Sequence, residues 1–320
     1  MEIELLVNLF FQNLGGWLES LMQAFTFLGN ELFFLLIMPA LYWSIDPATG
    51  FRAGMMLIIS GGLNSSLKML FHSPRPYWID PQVKAMASET SFGLPSGHSQ
   101  NSAAIWGMIA ASFRKKWAWS VALVVIFLVG ISRLYLGVHF LRDVLSGWLI
   151  GGLIVILYLV LEAPVSRWLS TRPFGIQLMF SFLFSLVLIG IGLLSQTSRN
   201  SFSLPQEWVQ NAVAAGAEAP NPYNLEGVIT IAGVAFGFTS GYAWWRHKFG
   251  VGLLNATPIK RLARYGLGLL GIVALYFGLK LVFPQEPALM DGIFRFIRYS
   301  LIGVWVTAIA PWIFKKLHLE

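Results

Sequence analysis

The stretch Ser91–Ala104, SFGLPSGHSQNSAA, places a rigid turn, a hydroxyl and an imidazole between long apolar runs. Its central PSGH tetrapeptide, residues 95–98, stands where a helix begins, because the apolar run 97–113 follows directly. The free N–H groups of a helix start bind anions, and a glycine there lets a ligand approach the backbone closely. The stretch therefore predicts an anion site at the end of an apolar helix.

The composition indicates that this helix lies in a membrane. Of the 320 residues, 56% are hydrophobic and only 12% are charged, whereas soluble domains carry about 25% charged residues. Nine segments have about the length that crosses a bilayer, roughly 17–25 residues: 30–45, 51–72, 97–113, 117–136, 139–162, 174–194, 225–245, 262–283 and 293–314. We predict an all-α polytopic membrane protein.

The spans divide into two parts along the chain. Residues 1–195 are predicted to form a six-helix core, and residues 196–320 a long outer loop followed by three extra transmembrane helices. The loop contains PQEWVQNAVAAGA, which predicts a short helix starting at Pro205 with Ser203 as its cap. Two interpretations of this loop stay open: a lid or binding element, and a disordered linker. Residues 1–13 are amphipathic and indicate an interfacial helix.

The distribution of charge predicts which face of the membrane the PSGH turn occupies. On one face lie 13 of the 22 lysines and arginines, with only Asp46, Glu162 and Glu320 as acidic neighbours. Basic loops stay in the cytoplasm, so the turn is expected on the non-cytoplasmic side, facing the periplasm or exterior in a bacterium or the ER lumen in a eukaryote. The basic clusters determine topology, and we expect no nucleic-acid partner. Aromatic residues near span ends are predicted to form interfacial belts: Tyr42, Trp43, Tyr77, Trp78, Trp244 and Trp245.

Three polar segments fall on that same face and supply the groups for phosphoryl chemistry. Lys68, Arg75 and Arg133 are three cations suited to a dianionic phosphoryl group, with Ser96 and Gly97 as further donors.

The histidines of these segments suggest a nucleophile and an acid. His139 and Asp143 are spaced i, i+4 and share a helical face. The carboxylate can hold one imidazole nitrogen and leave the other as a nucleophile. His98 remains as the general acid for the departing oxygen.

These residues together resemble the signature of the type 2 phosphatidic acid phosphatase superfamily. The matching motifs are Lys68-x6-Arg75-Pro76, Pro95-Ser96-Gly97-His98 and Ser132-Arg133-x5-His139-x3-Asp143. The resemblance implies catalysis by His139, His98 and Asp143, and phosphate binding by Lys68, Arg75, Ser96, Gly97 and Arg133. It also implies a phosphohistidine intermediate, with no metal and no cofactor.

The resemblance leaves the substrate open. We expect an integral membrane phosphoric monoester hydrolase that acts on a lipid phosphate monoester or diphosphate, with membrane lipids around it. The nine-span plan is similar to sphingosine-phosphate phosphatases and glucose-6-phosphatases of the same superfamily. A polyprenyl diphosphate or a glucose-6-phosphate-like sugar phosphate is therefore the alternative substrate. A catalytically dead lipid-binding or transport protein is disfavoured, since every motif position is filled.

Overall fold

The structure, a computed structural model, describes residues 2–250, 256–284 and 286–319. Within these ranges the regular structure is helical, with no strand, so the predicted all-α class is confirmed. The α-helices in chain order are α1 Glu2–Asn13, α2 Glu19–Phe27, α3 Glu31–Ala40, α4 Pro47–Phe71, α5 Pro76–Ile79, α6 Gly97–Phe113, α7 Lys116–Tyr135, α8 Leu141–Ser170, α9 Phe174–Gln196, α10 Gln206–Ala214, α11 Glu226–Phe249, α12 Pro258–Val282, α13 Ala288–Val304 and α14 Ala310–Lys316.

A helix occupies each of the nine predicted span positions, but not all of these helices are long and apolar enough to cross a membrane. Seven described helical segments are long and apolar enough, built on α4, α7, α8, α9, α11, α12 and α13. The eighth is a pair in which Gly16–Phe27 and Glu31–Ile45 meet at 47°. The PSGH helix α6 has 17 residues, about 25 Å in length. The protein is polytopic, and its division into six plus three spans stays a prediction.

The chain forms two compact units, each assembled from separate parts of the sequence. The first comprises Met1–Phe34, Ile59–Leu157 and Ile191–Leu225, and the second Leu35–Ile58, Tyr158–Gly190 and Glu226–Glu320. All eight predicted site residues fall within the first unit. The predicted boundary near residue 195 divides the sequence by span count, and it stays a prediction.

Close helix packing in the second unit depends on small residues. A Cβ built on Gly233 would lie 2.6 Å from the carbonyl oxygen of Phe296, and one on Gly303 would lie 2.5 Å from the nitrogen of Phe238. Glycines let membrane helices approach at backbone distance, so α11 and α13 are in direct contact.

In the first unit, side-chain amides and hydroxyls join α4 to α6. Ser60 donates to Asn101 Oδ1 at 2.6 Å, and Asn64 Nδ2 donates to Gln100 Oε1 at 2.9 Å. Gln100 Nε2 in turn donates to the carbonyl oxygen of Ser60 at 2.9 Å. Buried polar groups that are fully paired hold packed helices in one arrangement. This network fixes the C-terminal half of α4 beside the first turns of α6.

The segment after α9 packs onto the loop that precedes the PSGH turn. Asn211 Nδ2 donates to the carbonyl oxygen of Trp78 at 3.0 Å, and the Asn221 N–H donates to that of Thr90 at 2.9 Å. The predicted short helix is present as α10, but its N-cap is Pro205 and no side chain caps it. The predicted Ser203 cap is therefore wrong, because α10 begins at Gln206 and its N-cap lies two residues after Ser203.

The predicted aromatic belts are largely wrong. Tyr77 and Trp78 are 0% exposed, and Tyr42 and Trp43 are 3% and 1% exposed. Trp43 Nε1 donates to the carbonyl oxygen of Val306 at 2.8 Å. Trp245 is buried as well, at 4% exposure. Tyr and Trp also bury well when their polar atom finds a partner, as Trp43 does, whereas Trp78 Nε1 is buried without a hydrogen bond among the described residues. These residues form protein core.

Candidate active site

One fully buried arginine, Arg75, joins the first predicted motif to the third and to the loop just before the second. Its Nη1 donates to the carbonyl oxygen of Val138 at 2.9 Å and lies 3.3 Å from His139 Nε2. Its Nε donates to the carbonyl oxygen of Ser91 at 2.7 Å, and its Nη2 to that of Phe92 at 3.2 Å. Arg75 therefore joins the end of α4 to the loop before α6 and to the α7–α8 connection.

His139 lies between Asp143 and Arg75 and is 1% exposed. Its Nδ1 is 3.3 Å from Asp143 Oδ2, and the same oxygen accepts from the Phe140 N–H at 3.0 Å. Arginine can only donate, so Nε2 is the unprotonated nitrogen and Nδ1 carries the hydrogen. Burial, and then the charge of Arg75, lower the pKa of His139 well below its ordinary value. The ring is thus neutral, with its lone pair facing the cations.

Lys68 and Arg75 converge on one hydroxyl from the loop before α6. Lys68 Nζ donates to Ser91 Oγ at 2.9 Å, and Arg75 Nη2 donates to the same oxygen at 3.1 Å. Both cations are buried, Lys68 at 8% exposure and Arg75 at 0%. A group that replaces Ser91 Oγ between them would receive charge-assisted hydrogen bonds from two side chains.

The third cation, Arg133, pairs with a carboxylate that sequence reasoning missed as a site residue. Arg133 Nη2 lies 2.6 Å from Glu89 Oε1, and Nη1 donates to Thr26 Oγ1 at 2.7 Å. His98 Nδ1 is 4.0 Å from the same Glu89 oxygen. Glu89 therefore lies among Arg133, Arg75 and His98. Burial alone would raise the pKa of Glu89, but the nearby cations lower it well below its ordinary value, so the carboxyl is ionised.

Ser96 and Gly97 form the start of α6. The Ser96 side chain accepts from the Ser99 N–H at 3.4 Å, which caps the helix, and the residue is 0% exposed. A Cβ built on Gly97 would lie 3.0 Å from Asn64 Oδ1, so a larger residue would crowd α4. The cap explains why serine precedes glycine here, and phosphate contact by Ser96 stays a prediction.

Helix α1 contacts the backbone of His139, the predicted nucleophile, from outside the three motifs. Asn8 is 0% exposed, and its Nδ2 donates to the carbonyl oxygens of Leu134 at 2.9 Å and His139 at 3.0 Å. Helix α1 was predicted to be interfacial, and this contact gives it a second role. The signal that could have found Asn8 is the pair of amides Asn8 and Gln12, spaced i, i+4 within an otherwise apolar stretch of α1.

The described residues contain no group of three or more His, Cys, Asp or Glu side chains placed to hold a metal ion. The cations that face the pocket are side chains of the protein. That the reaction needs no metal or cofactor stays a prediction.

Comparison with protein families gives two matches that together cover most of the chain. Residues 49–167 match the model of the PAP2 superfamily. Residues 229–320 match that of the transmembrane extension of PAP2 superfamily phosphatases. The first match contains every predicted site residue, and the second contains the last two predicted spans and most of the span 225–245.

Individual relatives are named phosphatases. Phosphatidylglycerophosphatase B of Bacillus subtilis is 31% identical over 164 residues, which are 48% of this chain and 79% of that protein. Sphingosine-1-phosphate phosphatase 1 of Mus musculus is 29% identical over 47% of this chain and 36% of its own length. Glucose-6-phosphatase 3 of Bos taurus is 28% identical over 94% of this chain and 91% of its own length.

Proposed function

The chain belongs to the PAP2 superfamily, and from this premise we propose that it hydrolyses a lipid phosphate monoester or diphosphate through a phosphohistidine on His139. It is an integral membrane phosphatase, a phosphoric monoester hydrolase acting on lipid or sugar phosphates. The observation that carries the proposal is the position of His139, with Nδ1 3.3 Å from Asp143 Oδ2 and Nε2 3.3 Å from Arg75 Nη1.

In the first step, His139 Nε2 attacks phosphorus and forms a P–N bond while the P–O bond to the alcohol breaks. The departing oxygen takes a proton from His98, so the alcohol leaves neutral. Lys68, Arg75 and Arg133 hold the phosphoryl oxygens, whose charge is redistributed in the transition state. Asp143 stabilises the ring as it becomes positive. This arrangement needs Nε2 unprotonated, as the contact with Arg75 requires.

In the second step, a water attacks the phosphohistidine. His98, now neutral, accepts the proton of that water, the P–N bond breaks, and the bonding electrons return to Nε2. Inorganic phosphate leaves, and His98 is protonated again for the next cycle. One imidazole thus serves as acid and then as base, while the other carries the phosphoryl group.

The lipid substrate is supported by where the site lies. His98 is at one end of α6, and the basic residues Arg114–Lys116 follow its other end. A headgroup can enter at the His98 end of α6 while its acyl or prenyl chain stays in the bilayer. By the distribution of basic residues, the site is on the non-cytoplasmic side. A sugar phosphate is the second candidate, favoured by the similarity to glucose-6-phosphatase 3 over 94% of this chain.

A substrate panel on purified protein in detergent tests the proposal. The panel contains short-chain phosphatidate, a sphingoid phosphate, a prenyl diphosphate and glucose 6-phosphate, assayed with and without a chelator. We expect the wild type to hydrolyse a lipid phosphate in the presence of the chelator. We expect His139→Asn to hydrolyse none of the substrates. Turnover of glucose 6-phosphate alone would select the second candidate, and full activity of His139→Asn would refute the mechanism.

The sidedness has its own test, because the chain contains no cysteine. Single cysteines can be placed at two exposed positions: Gln82, in the loop before the PSGH turn, and Lys116, the first residue of α7, just after the far end of α6. In intact cells a membrane-impermeant maleimide should label Gln82→Cys and not Lys116→Cys. The reverse pattern would place the site on the cytoplasmic side.

A further inference from the structure

Glu89 brings a second carboxylate, besides Asp143, into the site that holds Lys68, Arg75 and Arg133. Its Oε1 is 2.6 Å from Arg133 Nη2 and 4.0 Å from His98 Nδ1. Its Oε2 is 3.6 Å from Arg75 Nη2, which is longer than a hydrogen bond. The Glu89 side chain is 25% exposed, so Oε2 is available to a donor that enters the site.

The backbone around Glu89 is held in place on both sides. The Tyr77 hydroxyl donates to the Glu89 carbonyl oxygen at 3.0 Å. The Glu218 N–H donates to Ser88 Oγ and the Asn221 N–H to the Thr90 carbonyl oxygen, both at 2.9 Å. Tyr77 is 0% exposed, so this anchor belongs to the protein core. The carboxylate is therefore built into the site by the segment that follows α9.

The carboxylate lies on the side of the pocket where the alcohol departs. His98, the proposed acid for the departing oxygen, is the imidazole nearest to Glu89, whereas His139 contacts Asp143 and Arg75. A substrate group next to the ester oxygen therefore meets the Glu89 carboxylate. A hydroxyl or ammonium there would donate to Oε2, while a second phosphate would meet a like charge.

The charges around Glu89 also favour a phosphate monoester over a diphosphate. Glu89 pairs with Arg133 and lies near Arg75, so it offsets one of the three cations that face the phosphoryl group. Lys68 and Arg75, which both donate to Ser91 Oγ, are then the cations left for the phosphoryl group. A diphosphate brings further negative charge, which the Glu89 carboxylate repels.

We propose that Glu89 determines specificity, selecting phosphate monoesters whose alcohol carries a hydroxyl or ammonium group beside the ester and rejecting diphosphates. This inference rests on the proposed function and names the substrate class of the same site. Like charges brought together in a binding site discriminate strongly between ligands. We expect Glu89 to change the preference between the two classes by about 10- to 100-fold.

The test compares wild type, Glu89→Gln and Glu207→Gln on farnesyl monophosphate and farnesyl diphosphate in detergent. Glu207 is an exposed acid on α10, so its amide variant controls for the loss of one charge. Wild type and Glu207→Gln should prefer the monophosphate, and Glu89→Gln should lose at least tenfold of that preference through faster diphosphate hydrolysis. An unchanged ratio in Glu89→Gln would overturn the inference.

A second pair of substrates tests whether a hydroxyl of the substrate donates a hydrogen bond to Glu89. Lysophosphatidate carries a hydroxyl beside the ester, and dodecyl phosphate does not. The wild type should prefer lysophosphatidate, and Glu89→Gln should lose the preference. An equal fall in kcat/KM for all four substrates would assign Glu89 to positioning His98 and overturn the specificity role.

A binding measurement keeps the proposal testable if Glu89→Gln turns over nothing. Inorganic phosphate should raise the Tm of the wild type more than pyrophosphate does, and Glu89→Gln should reverse that order. The same order in both proteins would overturn the inference. A wild type that hydrolyses none of the four substrates would refute the proposed function together with it, whereas an active wild type with an unchanged variant ratio would refute the inference alone.

Discussion

Replacing Asp143 with asparagine removes the charge beside the proposed nucleophile while preserving the shape of the side chain. Oδ2 accepts both from His139 Nδ1 at 3.3 Å and from the Phe140 N–H at 3.0 Å. Oδ1 has no hydrogen-bond partner within the described part of the chain and lies 3.8 Å from Arg142 Nε. The asparagine oxygen can therefore occupy the Oδ2 position and keep the Nδ1–H tautomer. Asp143→Asn thus tests the charge of the carboxylate separately from its hydrogen bond.

The size of the effect follows from the separation of the two groups. As the P–N bond forms, the His139 ring becomes positive at 3.3 Å from Asp143 Oδ2. Coulomb's law with an effective dielectric constant near 20 gives about 5 kcal/mol for that pair as an upper bound. Since about 1.4 kcal/mol corresponds to a factor of ten in rate, kcat should fall by up to about 1,000- to 10,000-fold. KM should change little, because the ring is neutral in the ground state.

The assay measures phosphate release under saturating short-chain phosphatidate for wild type, Asp143→Asn and Glu162→Gln. Glu162 pairs with Arg52 at 2.7 Å, in the second compact unit, and its variant controls for losing an ion-paired carboxylate away from the site. It should retain the wild-type kcat. A fall of less than about tenfold for Asp143→Asn, with an unchanged Tm, would refute the electrostatic role of Asp143.

Four further outcomes are expected. Gly97→Ala should push Asn64 away from the new Cβ, which would lie 3.0 Å from Asn64 Oδ1, and cost about 1–2 kcal/mol of stability; an unchanged Tm would contradict this. Because burial lowers the pKa of His139, the acidic limb of kcat/KM should lie below the ordinary histidine value of about 6.5; a limb near pH 7 assigned to His139 would contradict it. Burial raises and the nearby cations lower the pKa of Glu89, with a net fall. Its ion pairs therefore stabilise the fold at a pH above the ordinary glutamate pKa of about 4.3, and this stability is lost as the pH falls toward the lower pKa of the folded state. The Tm of the wild type should therefore fall more than that of Glu89→Gln between about pH 5 and pH 3. Equal falls in Tm would count against the ion pairs. Asn8→Ala removes two hydrogen bonds to backbone carbonyls and should lower stability by about 1–3 kcal/mol, measured by thermal unfolding in detergent.

The family, the helical class and the polar segments could be predicted from the sequence because each depends on local pattern. A span is visible as an apolar run of sufficient length, and PSGH marks the start of α6 through its own residues. The i, i+4 spacing of His139 and Asp143 likewise predicted that they lie close, and the structure has them at 3.3 Å, with His139 in the connection just before α8 and not on its helical face. In each case the partners are close in sequence or belong to one helix.

The parts that escaped prediction depend on contacts between distant segments. Glu89 reaches Arg133 across 44 positions, and Asn8 reaches His139 across 131. A sequence shows that such residues are polar without showing which partner they find. The tryptophans and tyrosines were misplaced for the same reason, since an aromatic residue near a span end is compatible both with the lipid interface and with a polar partner in the core.

Trapping the phosphoenzyme tests the central claim most directly. The protein is mixed with a phosphorus-labelled short-chain lipid phosphate and quenched within one turnover at alkaline pH, and its peptides are then mapped by mass spectrometry. The mechanism predicts a phosphoryl group on Nε2 of His139 that is absent from His139→Asn and that disappears as phosphate is released. Label on His98, or turnover with no labelled histidine at any time, would contradict it.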